Sequence, residues 1–203
     1  VLQILREGNE RFRTGQQLTR DLSRQLEATA DIQHPLAIVL SGASSRTPVE
    51  MIFDVGLGDL YCARIIGSLP NTAIVGNLEH ACVVAGAKLI VVMGHSNSAA
   101  CRLAIESTLS GQKVFDTTGC SNLDRAIVEI QESFDPRLAD GWESMDAAGQ
   151  GQVVDQLYRV HIQRVIKMIR ERSAVLEKQC QEGRLKIVGA MYDVRSGDVE
   201  FAE

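Results

Sequence analysis

Three apolar runs of strand length, residues 36–40 (LAIVL), 60–66 (LYCARII) and 89–93 (LIVVM), constrain this chain more than any other feature. Helical spacing of apolar residues lies between and after them. Residues 72–85 carry Ile74, Leu78, Ala81 and Val84 and close at Gly86. Residues 98–109 read as a second helix that stops at Gly111, and residues 122–134 as a third, through Leu123, Ile127 and Ile130. Strands alternating with helices of this length predict a buried, mostly parallel sheet with crossover connections. In such sheets ligands bind beyond the carboxyl ends of the strands. Two segments directly follow apolar strands, Gly42 to Arg46 and Gly94 to Ala99. They are expected to converge on one site.

The rest of the chain fits one α/β domain. Its 203 residues are ample for a single core and short for two. Residues 1–31 read as two charged helical pieces separated near Gly15, with too few large apolar residues to bury much alone. They predict an arm lying across the core or a partner subunit, ahead of a domain spanning 32–203. Residues 135–151 read as a polar connector around Trp142, and 153–180 as one long helix with Leu157, Val160, Val165, Ile169 and Leu176 inward. Residues 185–194 and 198–201 predict two final strands turning through Ser196 and Gly197.

A net charge of -5 and a pI near 5.4 argue against nucleic acid as a partner. No run reaches transmembrane length. Five scattered cysteines without a C-x-x-C pattern predict reduced thiols and a cytoplasmic setting. The chain starts inside an amphipathic pattern (Val1, Leu2, Leu5, Phe12), which predicts a domain taken from a longer protein.

The ordered motifs along the chain resemble the β-class carbonic anhydrases. They include Glu7-Gly8-Asn9-Glu10-Arg11-Phe12, Arg46-Thr47-Pro48-Val49-Glu50, Phe53-Asp54 with Gly58-Asp59, Gly76-Asn77-Leu78-Glu79-His80-Ala81, and Gly189-Ala190-Met191-Tyr192-Asp193. Leu18-Thr19-Arg20-Asp21-Leu22-Ser23-Arg24 is most similar to the domains fused behind SulP-type anion transporters. The resemblance implies a β-carbonic-anhydrase-like α/β fold with an N-terminal helical arm that makes homodimers or larger assemblies. It also implies a zinc site of two cysteines and a histidine, with an aspartate either in the fourth position or hydrogen-bonded to the zinc-bound water. Here the cysteine positions hold Gly42 and Ser98, the aspartate position holds Ser44, and His95 alone is retained.

Zinc needs several strong donors, and neutral hydroxyls are poor ones. The expectation is therefore a zinc-free homologue with no confident catalytic residue, acting as an oligomerisation or regulatory domain. The alternative is an active enzyme hydrating carbon dioxide at a site around His95, either metal-free or rebuilt with Cys62 or Cys101. The resemblance pairs Arg46 with the missing aspartate. Arg46 then either recruits Asp54, Glu50 or Asp59, or holds a small anion such as bicarbonate, with Gln33 in the position of a substrate-binding glutamine. Arg64 and Tyr192 match two residues of a non-catalytic bicarbonate pocket whose tryptophan position is Val39. A transporter domain upstream is the implied heterologous partner, which would make this the cytoplasmic part of a membrane protein.

Overall fold

The computed structural model describes residues 1–202. Five strands form one sheet in the order β2-β1-β3-β4-β5: β1 (Ala37–Ser41), β2 (Leu60–Arg64), β3 (Leu89–His95), β4 (Lys186–Tyr192) and β5 (Val199–Ala202). The first four run parallel, and β5 returns antiparallel on β4 through the predicted turn. Every residue of β1 and β3 is buried, as their unbroken apolar runs require of strands covered on both faces. One core cluster packs Ile38, Leu40, Ile90 and Val92 against the long helix α8 (Ala147–Arg172); α5 (Ala99–Ser110) and α7 (Asp124–Gln131) lie on the same side. The other packs Val39, Val91 and Met93 under α1 (Leu2–Arg13) and α3 (Val49–Ile52).

Several elements differ from the sequence expectation for local reasons. The helix predicted over 72–85 is α4 (Thr72–Glu79) followed by a π-helical turn, His80–Val84, which ends at Gly86 in the left-handed region (φ 84°). The connector over 135–151 contains two short 3-10 turns, and α8 already begins at Ala147 behind an Asp146 cap. The single long helix over 153–180 is broken at Ser173, whose side chain caps α9 (Ala174–Gln181) by accepting from Leu176 N. A serine that can bond its own backbone competes with helix continuation in this way. Val160, read as inward, is 45% exposed.

The two helices of the N-terminal segment behave differently. In α1, Leu5 is fully buried in the second core cluster, and Asn9 donates to Ile52 O and Gly197 O while accepting from Val199 N. Gly8 permits this contact, because a Cβ there would lie 1.8 Å from Phe53 O. By contrast α2 (Leu22–Thr29) has no buried residue, and Leu18, Leu22, Leu26 and Ile32 stand exposed along that stretch. The linker between the helices is fastened at Asp54. Its nearly buried carboxylate takes Arg11 Nε, Arg20 Nη1 and the backbone N–H of Leu18. These cations hold the Asp54 carboxyl below its ordinary pKa against the opposing effect of burial.

Removing the charge leaves two arginines without their counter-ion. Asp54→Asn is expected to cost about 2–3 kcal/mol in urea unfolding, a figure discounted for the partial exposure of both arginines. It should also open residues 14–21 to limited proteolysis before the remainder of the chain.

Candidate functional site

Strands β1 and β3 pair in parallel, Ser41 opposite Met93, so the loops that follow them leave the sheet side by side. Together they border a cavity of about 510 Å³. Gly42, Ser44, Arg46, His95 and Ser98 all line it, as the topology predicted. Its lining also includes the apolar side chains of Ile66, Leu103, Leu123 and Ile127.

His95 ends β3 and is 5% exposed. Its Nδ1 lies 2.9 Å from Ser96 O, a carbonyl that can only accept, so the proton sits on Nδ1. In the neutral ring Nε2 is then a free lone pair. Burial lowers the His95 pKa, with Arg46 adding to the effect and the Ser96 bond opposing it. The ring stands edge-on to Tyr158 at a centroid distance of 5.7 Å. A Cβ on Gly42 would sit 3.5 Å from Nε2 and 3.3 Å from Tyr158 Oη. The space beside Nε2 is thus a cradle that a side chain at position 42 would enter.

The two serines are held locally. Ser98 caps α5 by accepting from Cys101 N at 3.3 Å, and its side chain also hydrogen-bonds the Cys101 thiol. Ser44 Oγ accepts from Arg46 N and Nε, both at 3.4 Å. Arg46 also donates Nη2 to Asn97 O at 3.2 Å and so ties the two loops together. It forms no ion pair with any described residue. Asp54 is occupied by Arg11 and Arg20, Glu50 accepts from the Cys62 thiol, and Asp59 accepts from Gly56 N. The expected recruitment of one of these carboxylates does not occur, because each is already satisfied.

Other predicted residues lie elsewhere. Gln33 precedes β1 at the opposite end of the strand, about 17 Å of strand away, and donates to Tyr61 Oη. It does not line the cavity. Cys101 is fully buried in the core with its thiol pushed up to about 12 by burial. Cys62 lies on β2, its thiol raised by burial and by Glu50. Neither thiol borders the cavity. Among the described residues no three of His, Cys, Asp and Glu form a group able to hold a metal ion. Arg64 is spent on the loop itself, donating to Ser44 O and Gly42 O, while Val39 is a core residue. Tyr192 pairs across from His95 at the end of β4.

Two residues of α8 were not foreseen from sequence. Tyr158 is buried against His95 and exchanges a hydrogen bond with Ser68 Oγ. Asp155 accepts from Asn97 N, which steadies the second loop at a residue with φ of 55°. Tyr158 sits on the buried side of α8 with Leu157 and Ile162, and Asp155 is only partly buried, but nothing in the sequence links either to residue 95.

With this geometry in hand, comparison with known proteins is direct. Residues 37–199 match the family model described as carbonic anhydrase, and the chain belongs to the carbonic anhydrase family. It is 30% identical over 200 residues to carbonic anhydrase 2 of Mycobacterium tuberculosis, covering 95% of this chain and 87% of that protein. It is likewise 30% identical to a carbonic anhydrase of Mycolicibacterium smegmatis, covering 97% and 89%. Its fold is that of the β class. The β-carbonic anhydrase CafA of Aspergillus fumigatus superposes with a TM-score of 0.72 at 23% identity, over 89% of this chain and 81% of that one.

Burial lowers the pKa of a second histidine, His161, which donates Nε2 to Gly67 O and accepts from Ser133 at Nδ1. Both His95 and His161 are harder to protonate folded than unfolded, where histidine titrates near 6.5. Their contribution is therefore complete above about pH 6.5 and declines as pH falls below it. The melting temperature should drop between pH 7 and pH 5.5, and His161→Gln should flatten that slope.

Proposed function

We propose that this chain is a zinc-free β-carbonic anhydrase homologue that does not hydrate carbon dioxide, and that it serves as a self-associating regulatory domain holding bicarbonate on Arg46. The donor set of the cleft carries this reading. A catalytic zinc takes about three protein ligands and lowers the pKa of its water to about 7. Apart from the His95 imidazole, the cleft is lined by neutral hydroxyls (Ser44, Ser45, Ser98 and Tyr158) with no thiol and no carboxylate, which does not fit zinc. For bicarbonate the match is better. Its charged oxygens suit the Arg46 guanidinium and the O–H of Ser44, and its own hydroxyl can donate to His95 Nε2.

Self-association is supported by the exposed apolar side chains of α2 and by the open edge of β2. It is also consistent with the fold likeness to two tetrameric β-carbonic anhydrases of Sordaria macrospora, at TM-score 0.70 and 18% identity. On the resemblance to SulP-fused domains, the partner would be an anion transporter. No helix among the described residues is itself long and apolar enough to cross a membrane.

The 30% identity to proteins named carbonic anhydrases favours a second reading, in which His95 Nε2 acts as general base on water without a metal. Three measurements separate the two. Protein exposed to excess zinc and desalted should retain far less than one zinc per chain. Stopped-flow carbon dioxide hydration should stay at the buffer rate, and bicarbonate binding should vanish in Arg46→Gln. About one zinc per chain, or turnover lost in His95→Ala, would overturn the proposal. Restoring the donors with Gly42→Cys, Ser44→Asp and Ser98→Cys together is expected to bring about one zinc per chain, because the Gly42 cradle opens onto His95 Nε2.

A further inference from the structure

Bicarbonate would fill only part of the cleft. At about 30 Å³ per water, the 510 Å³ cavity is several times larger than an anion of four heavy atoms. The charged and hydroxyl groups come mainly from the two strand loops, whereas Ile66 and the helical residues Leu103, Leu123 and Ile127 offer only hydrocarbon. Leu103 and Leu123 are partly exposed and Ile66 is exposed at 38%. Water against that wall gains nothing from it, whereas an alkyl group would cover it. Arg46 is the one cation among the described residues lining the cavity, and no carboxylate lines it. A second negative charge on a ligand would meet no partner, and neither would an ammonium group.

We propose that the cleft takes a short-chain aliphatic monocarboxylate, with its carboxylate on Arg46 and Ser44 and its tail along Ile66, Leu103, Leu123 and Ile127. The proposal rests on the reading that Arg46 holds an anion in a cleft without zinc, and it adds a tail subsite to that anion site. The planar carboxylate meets the same guanidinium and Ser44 hydroxyl as bicarbonate. The tail adds burial that bicarbonate lacks. One clash limits the head group. The lone pair of His95 Nε2 gives a carboxylate no donor, so the head is expected to sit on the Arg46 side of the cleft.

Isothermal titration calorimetry at constant ionic strength, with bicarbonate, acetate, butyrate and hexanoate as probes, tests this. Affinity is expected to rise by about fourfold per added methylene from acetate to hexanoate, and Arg46→Gln should remove binding of all four. Ala100→Leu, which pushes side-chain volume toward the tail wall, should lower the ratio of hexanoate to acetate affinity. Leu123→Ser should do the same by making the wall polar, and circular dichroism shows whether each variant is folded. Hexanoate binding no tighter than acetate, with bicarbonate still held through Arg46, would overturn the tail site and leave the bicarbonate reading standing. Hexanoate binding that survives Arg46→Gln would also overturn it. Failure of every anion to bind would overturn both.

Discussion

The in-register parallel pairing of β1 with β3 is the constraint on which everything at the cleft depends. It sets Leu40 beside Val92 and Ser41 beside Met93, and so brings two loops half a hundred residues apart in sequence to one place. Backbone hydrogen bonds and complete burial on both faces hold that register; a one-residue slip would turn the apolar side chains of one face to the other. The remaining elements secure the loops once they have met. Arg64 fixes the first by its carbonyls, Asp155 fixes the second at Asn97, and Arg46 links the two.

The long helix α8 completes the arrangement from the other side. It crosses the sheet close enough to leave no room for a side chain at Gly94, where a Cβ would fall 2.8 Å from Tyr158 and 2.9 Å from Ile162. That closeness puts the Tyr158 ring against His95 and removes water from one side of the imidazole. Desolvation and the nearby Arg46 charge both favour the neutral ring, and the Ser96 carbonyl selects its tautomer. The cleft therefore pairs one permanent cation with a neutral imidazole and no carboxylate, a combination poorly suited to holding a dication.

Much of this was legible in the sequence, and the exceptions have physical causes. The buried strands announced themselves because strands covered on both faces are written as continuous apolar runs. The convergence of Gly42–Arg46 with Gly94–Ala99 followed from strand direction alone. The break at Ser173 and the π-helical turn at His80 did not show, because each depends on local hydrogen bonding that apolar periodicity does not record. Val160 was misplaced for a related reason, since a helix of 26 residues presents its apolar positions to more than one neighbour. Within the site, loop residues were legible and α8 residues were not. Tyr158 meets His95 only through packing across the sheet, a relation that local spacing does not encode. Gln33 precedes β1, where it donates to Tyr61 Oη and lies apart from the cavity of its own chain.

On the proposed reading, Gly42, Ser44 and Ser98 each serve the fold without a metal. Ser98 is a favoured helix cap, and its acceptance from Cys101 N serves α5 whether or not a metal is bound. Ser44 supplies Arg46 with an acceptor in place of a carboxylate, so the guanidinium stays aligned while its charge remains uncompensated. Gly42 removes a side chain from beside Tyr158 Oη and His95 without disturbing either contact. Arg46 makes no ion pair with any described residue, and its guanidinium lines a cavity that also carries Ile66, Leu103, Leu123 and Ile127. On the proposed reading, that unpaired charge is the physical basis for holding an anion.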